Sequence, residues 1–182
     1  MKQLNILYVY GFNSSENSST YKTIKNELKG NKNIKVFCFN YPQQNPFKSV
    51  NFLNDKIKEN NIDLVIGSSL GGFITLNLNA KYRIVCNPAL EAGDDIKPLG
   101  AESEMVKLYN QLKNEGIWKN KPNKNILTYG LFGTNDELFK HKDIFDNVYK
   151  KSSKYVDTKH HYTEKNVRDY IIPEVNKIYD RK

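Results

Sequence analysis

Apolar positions along this chain gather in short dense runs, separated by longer segments in which they recur at helical spacing. Six runs are rich in β-branched and aromatic residues: Leu4–Tyr10, Ile34–Phe39, Ile62–Ile66, Arg83–Cys86, Ile126–Phe132 and Lys154–Val156. Such runs, bounded by turn residues, predict strands. The segments Ser18–Leu28, Val50–Glu59, Leu70–Asn79, Glu102–Asn114, Leu138–Tyr149 and Glu164–Tyr179 are long enough for helices. In the last of these, Val167, Tyr170, Ile171, Val175 and Ile178 mark one face, and Pro173 is expected to kink it.

Strands alternating with helices call for a mostly parallel sheet covered on both faces, because parallel neighbours need crossover connections. The runs Ile6-Leu7-Tyr8-Val9 and Asp63-Leu64-Val65-Ile66 suit strands buried on both sides. The expectation is a three-layer α/β fold with a six-stranded sheet. At 182 residues the chain fits one domain, 1–182. The connection from Asn87 to Asn125 is too long for a simple crossover, and it carries Pro88, Gly93, Pro98, Gly100, Gly116, Trp118 and Pro122. Residues 90–125 are therefore expected to form a cap-like insertion.

Composition narrows the class. With 38% hydrophobic and 26% charged residues the chain is globular. The formal charge of +8 invites a nucleic-acid reading. The lysines, however, are scattered over many segments instead of forming a stripe, so no nucleic-acid partner is expected. Cys38 and Cys86 sit inside apolar runs as small hydrophobes, and neither a disulfide nor a metal site is expected. No apolar stretch is long enough to span a membrane and the N-terminus runs directly into a strand, so a cytoplasmic location is expected.

Candidate chemistry begins after the third run. Ile62–Ile66 leads into Gly67-Ser68-Ser69-Leu70-Gly71-Gly72 and then into the helical Phe73-Ile74-Thr75-Leu76. This is a G-x-S-x-G in the strand–turn–helix context of a nucleophile elbow. The tight turn leaves no room for side chains two residues either side of the serine, which the glycines satisfy. Ser69 is the candidate nucleophile, and the Leu70 N–H at the start of the helix is a candidate oxyanion donor.

A serine hydroxyl needs a base. Of the three histidines, His141 lies in the predicted helix between lysines and reads as a solvated surface residue. His160 and His161 both follow the last run, where this arrangement places its base; His160 is the first choice and His161 the alternative. The acid is expected after the preceding run, in Gly133-Thr134-Asn135-Asp136-Glu137. Asp136 is the choice over Glu137, Asp94 and Asp95, although an aspartate here could equally cap the next helix. The first run exits through Tyr10-Gly11-Phe12-Asn13-Ser14-Ser15, where the Phe12 N–H can face the same oxyanion.

These blocks, together with Asn87-Pro88-Ala89 and His160-x-Tyr162-Thr163, resemble the YqiA-like family of small α/β-hydrolase esterases, in family order along nearly the whole chain. The resemblance implies a trimmed sheet and a metal-independent serine esterase or thioesterase acting on a small acyl ester or thioester without a cofactor. It also implies Ser69 as nucleophile, Asp136 as acid and His160 as base. The family pattern usually has histidine before the Gly-Phe of the oxyanion loop, where this chain has Tyr10. That departure, with a divergent cap, motivates the alternative of a catalytically silent hydrolase-fold protein that binds a ligand.

Overall fold

A computed structural model describes residues 2–116, 126–150 and 152–182. Its sheet comprises β1 (Leu4–Val9), β2 (Ile34–Cys38), β3 (Leu64–Ser68), β4 (Tyr82–Cys86), β5 (Leu127–Gly133) and β6 (Ser153–Val156). The spatial order is β2-β1-β3-β4-β5-β6, and every adjacent pair is parallel. All six strands coincide with the predicted runs to within a few residues. The central strands β1 and β4 are buried at every position, because a parallel sheet carries helices on both faces.

Helices α1 (Ser19–Leu28), α2 (Pro46–Glu59), α3 (Leu70–Leu76), α4 (Gly93–Ile96), α5 (Ser103–Glu115) and α6 (Lys142–Tyr149) alternate with the strands. The chain ends in α7 (Glu164–Asn166), a wider π turn over Val167–Ile171, and α8 (Ile172–Arg181). α1 packs with this terminal segment, whereas α2 packs with α3 and α5. The β1-to-β2 and β3-to-β4 connections step in opposite directions across the sheet. Right-handed crossovers therefore put α1 and α3 on opposite faces, and the strand order reverses between β1 and β3.

Two helix starts differ from the sequence expectation for local reasons. α2 begins at Pro46 rather than Val50: the Asn45 side chain accepts from Lys48 N at 3.1 Å, and a proline at the first helical position loses no bond it could have made. α6 begins at Lys142 rather than Leu138, because Asp136 binds the amides of the preceding residues. The kink at Pro173 takes the form of the π turn just before it, where the missing N–H and the ring are absorbed. The predicted 90–125 cap is described only to Gly116, as α4, a 3-10 turn at Lys97–Leu99 and α5; residues 117–125, including Trp118, lie outside the described residues. Among the described residues no helix is long and apolar enough to cross a membrane.

Candidate active site

β3 delivers the chain into a turn whose apex, Ser69, has φ 55° and ψ −124°. This is left-handed territory that costs an L-residue of the order of 1–3 kcal/mol. The surroundings hold it: Ser69 N donates to Cys86 O at 3.0 Å, and Ser69 O accepts from Ala89 N at 3.1 Å and from Gly72 N at 2.9 Å. The glycine spacing has the reason inferred from sequence. A Cβ on Gly71 would overlap the carbonyl oxygens of Val9 and Tyr10, and one on Gly67 would overlap the Gly71 backbone. Leu70 is the first residue of α3, so its N–H is among the helix amides without an intrahelical acceptor.

The β1 exit lies against this apex. A Cβ added to Gly11 would stand 3.0 Å from Ser69 Cβ and 3.5 Å from Ser69 Oγ. Phe12 follows, and the loop turns back through Ser14 N to Gly11 O at 3.3 Å and through Asn13 at φ 56°. Tyr10, the departure from the family pattern, is buried and accounted for: its hydroxyl donates to Asn40 Oδ1 at 2.8 Å. Tyr41 Oη donates to Tyr10 O at 2.6 Å, and Gln43 Nε2 donates to Gly11 O at 2.8 Å. Support for this loop thus comes from the segment after β2, through Tyr41 and Gln43. Nothing in the sequence pattern marked these residues, because their partners are backbone carbonyls some thirty positions away.

On the other side, the loops after β5 and β6 bring Asp136 and His160 together, each 2% exposed. His160 Nδ1 lies 3.1 Å from both carboxylate oxygens. An ionised carboxylate only accepts, so Nδ1 carries a proton, and in the neutral imidazole Nε2 is then the acceptor. Burial pushes the Asp136 pKa up. Hydrogen bonds from His160 and from the amides of Phe139 and Leu138, with the attraction of His160, outweigh it, and the carboxyl is held below its ordinary value. The two amides reach Oδ1 at 3.0 and 2.8 Å, so both roles considered from sequence, acid and helix-entry cap, fall to one side chain.

Glu137 makes no hydrogen bond to the imidazole; it accepts the His160 N–H at 3.0 Å and so braces the loop. That bond lowers the Glu137 pKa. His161 is exposed and sits edge-on to His160 with ring centres 5.3 Å apart. Phe139 packs edge-on to His160 at 4.8 Å and parallel to His141 at 5.4 Å. His141 is not the solvated residue expected from its lysine neighbours: its Nε2 meets both oxygens of Asp95 in α4, at 2.9 and 3.0 Å. Asp94 instead accepts from Asn110 Nδ2 at 2.9 Å, so neither of these aspartates reaches His160. No hydrogen bond joins Ser69 Oγ to His160 among the described residues. Also among the described residues, no group of three or more His, Cys, Asp or Glu side chains is placed to hold a metal ion.

One buried side chain ties these loops together. Asn87, just past β4 at φ 44°, donates from Nδ2 to Lys159 O and His160 O, both at 3.0 Å, and accepts Gly133 N–H at 2.7 Å. Its backbone continues through Pro88 to Ala89, which holds Ser69. An Asn87→Ala variant would leave one N–H and two carbonyls unsatisfied in a closed environment. The expected loss is about 3 kcal/mol in urea unfolding, at roughly 1–3 kcal/mol per orphaned group with partial relaxation. A loss under 0.5 kcal/mol would show that the loops are held by something else.

The sequence profile of the Uncharacterised protein family (UPF0227) matches residues 5–171. The chain belongs to the UPF0227 family. The match runs from β1 through the π turn and so includes every element that carries a candidate site residue. No curated protein matches it by sequence.

Among solved structures, this UPF0227 chain is similar to an alpha/beta hydrolase enzyme from the metagenome of sediments from the lagoon of Mar Chica, Morocco. The TM-score is 0.75 at 12% identity, covering 98% of this chain and 92% of the other. It is also similar to mouse alpha/beta hydrolase domain-containing protein 10, with TM-score 0.74 and 13% identity over 97% and 90% of the two chains. An esterase from Exiguobacterium antarcticum gives TM-score 0.70 and 13% identity over 99% and 93%. The UPF0227 fold is therefore that of the α/β-hydrolases, as the sequence implied.

Proposed function

We propose that this protein is a serine hydrolase that cleaves acyl esters or thioesters through an acyl-enzyme. The observation that carries the reading is the buried Asp136–His160 pair on the loops after β5 and β6, held through Asn87 to the same strand exit that pins the strained Ser69. An imidazole nitrogen able to accept a proton and a half-buried hydroxyl at a helix start are what proton abstraction and nucleophilic attack require.

In this mechanism His160 Nε2 accepts the Ser69 hydroxyl proton as Oγ attacks the acyl carbonyl. Asp136 holds the imidazole in the productive tautomer and stabilises its charged form. The Phe12 and Leu70 amides, reaching in from β1 and α3, bind the oxyanion. Protonated His160 then donates its proton to the departing alcohol or thiol. Water, activated by the same imidazole, releases the acid.

Support for the reading also comes from the neighbours described as hydrolases and esterases, which share the fold although not the sequence. The Tyr41 and Gln43 contacts to the oxyanion loop leave little motive for the silent-binder alternative, since the Tyr10 departure is compensated. The test is covalent labelling of the folded protein with a fluorophosphonate probe, followed by mass mapping of the adduct. A single adduct on Ser69 is expected; no adduct, or one on another residue, would overturn the proposal.

A further inference from the structure

A recess of about 430 Å³ opens beside the oxyanion loop, lined by Tyr10, Ser14, Asn40, Tyr41, Gln43 and Gln44. Its wall supports the oxyanion loop of the candidate site. Gln43 and Tyr41 bind the carbonyls of Gly11 and Tyr10, and Gly11 lies against Ser69. Its volume falls within the range of small-molecule pockets, about 300–1,000 Å³.

The chemistry of the lining is selective. The polar groups are phenolic and aliphatic hydroxyls and three carboxamides, with no ionised side chain, in a protein carrying a formal charge of +8. The groups are also pre-oriented. Asn40 Oδ1 is occupied by the Tyr10 hydroxyl at 2.8 Å, which leaves its Nδ2 as a donor. Gln43 Nε2 is occupied by Gly11 O and by Tyr41 Oη at 3.2 Å, which leaves Gln43 Oε1 as an acceptor. The Tyr109 hydroxyl fixes the Gln43 backbone at 3.0 Å. A hydrocarbon chain placed here would strip water from these groups and return no hydrogen bond. An anion would find no cation in the lining. Adjacent hydroxyls, each both donor and acceptor, match the alternating free amide and carbonyl.

We infer that this recess binds a neutral polyhydroxylated group, so that the substrate is an O-acylated sugar or similar polyol with its acyl carbonyl at Ser69. The inference rests on the hydrolase reading for the cleavage step, while binding in the recess does not.

Two measurements separate them. In the Ser69→Ala protein, methyl glucoside at tens of millimolar is expected to shift the side-chain amide NMR signals of Asn40 and Gln43, whereas hexanoate and methyl glucuronate at equal concentration shift them far less. In the wild-type protein, kcat/KM for an acetylated methyl glucoside relative to p-nitrophenyl acetate is expected to fall about tenfold in an Asn40→Leu/Gln44→Leu variant, the size of one or two neutral hydrogen bonds. Amide signals unmoved by the glucoside, equal response to the anions, or an unchanged substrate ratio would overturn the inference. Glucoside binding without cleavage of either ester would instead overturn the hydrolase reading and leave the recess assigned.

Discussion

Replacing Ser69 by glycine is expected to reduce ester hydrolysis by about a millionfold in kcat while making the folded protein more stable by about 1 kcal/mol. The first part follows from removing the attacking oxygen. The second follows from φ 55°, ψ −124°, a conformation in which any Cβ is strained. Relief of that strain, roughly 1–3 kcal/mol, exceeds the extra unfolded-state freedom of glycine, which costs about 0.5–1 kcal/mol. Ser69→Ala provides the control: it is equally inactive but keeps the Cβ, so its urea midpoint should stay near that of wild type. A glycine variant less stable than the alanine variant would mean that the turn is not strained in solution.

The second large effect concerns the acid. Asp136→Asn is expected to lower kcat by about 10⁴-fold with little change in KM. In the native arrangement Oδ1 is already committed to the amides of Leu138 and Phe139, which only an oxygen can accept. The asparagine oxygen therefore stays with them, and its NH₂ faces His160 Nδ1. That forces Nδ1 to accept and puts the imidazole proton on Nε2, where it blocks abstraction from Ser69. The carboxylate also contributes to stability versus pH. Its pKa is held below the ordinary value, so its contribution is full above the unfolded-state pKa and disappears as pH falls through the lower folded value. Wild type and variant should differ in urea unfolding at neutral pH and converge in strong acid. Steady-state kinetics with a short p-nitrophenyl ester read the first effect, and a kcat loss under tenfold would remove Asp136 from the role.

The parts of the molecule legible in its sequence were those where one local rule dominates. Strands buried on both faces write themselves as continuous apolar runs: β1 is legible to within one residue, while β3 lies two residues further along than its run. The elbow was legible because its glycines are required by contacts within the turn and with β1. His160 and Asp136 could be proposed from chain order, but their pairing depends on how two loops meet. What stayed hidden were polar side chains whose partners are distant backbone groups. Asn87, Tyr41 and Gln43 hold the loops, yet an isolated Asn, Tyr or Gln carries no periodicity. His141 misled for a related reason: its sequence neighbours are lysines, while its spatial neighbour Asp95 comes from α4, in a segment with no pattern to place it. The starts of α2 and α6 were displaced by caps, Asn45 with Pro46 in one case and Asp136 in the other, which act through backbone amides.

The reversal of strand order between β1 and β3 also divides the site into two inheritable halves. The imidazole and its carboxylate partner hang from β6 and β5 and are bracketed by Asn87 at the end of β4. Everything that shapes the recess hangs from the ends of β1 and β2 and is bracketed by Tyr41 and Gln43. The two brackets share no side chain, and they meet where the end of β1 lies against the elbow, Gly11 on Ser69 and the Val9 and Tyr10 carbonyls on Gly71. Substitutions at Asn40 and Gln44 would therefore reach the recess without touching the Tyr41 and Gln43 contacts to the oxyanion loop, a separation that would let this scaffold change the molecules it accepts while the proton-moving groups stay in place.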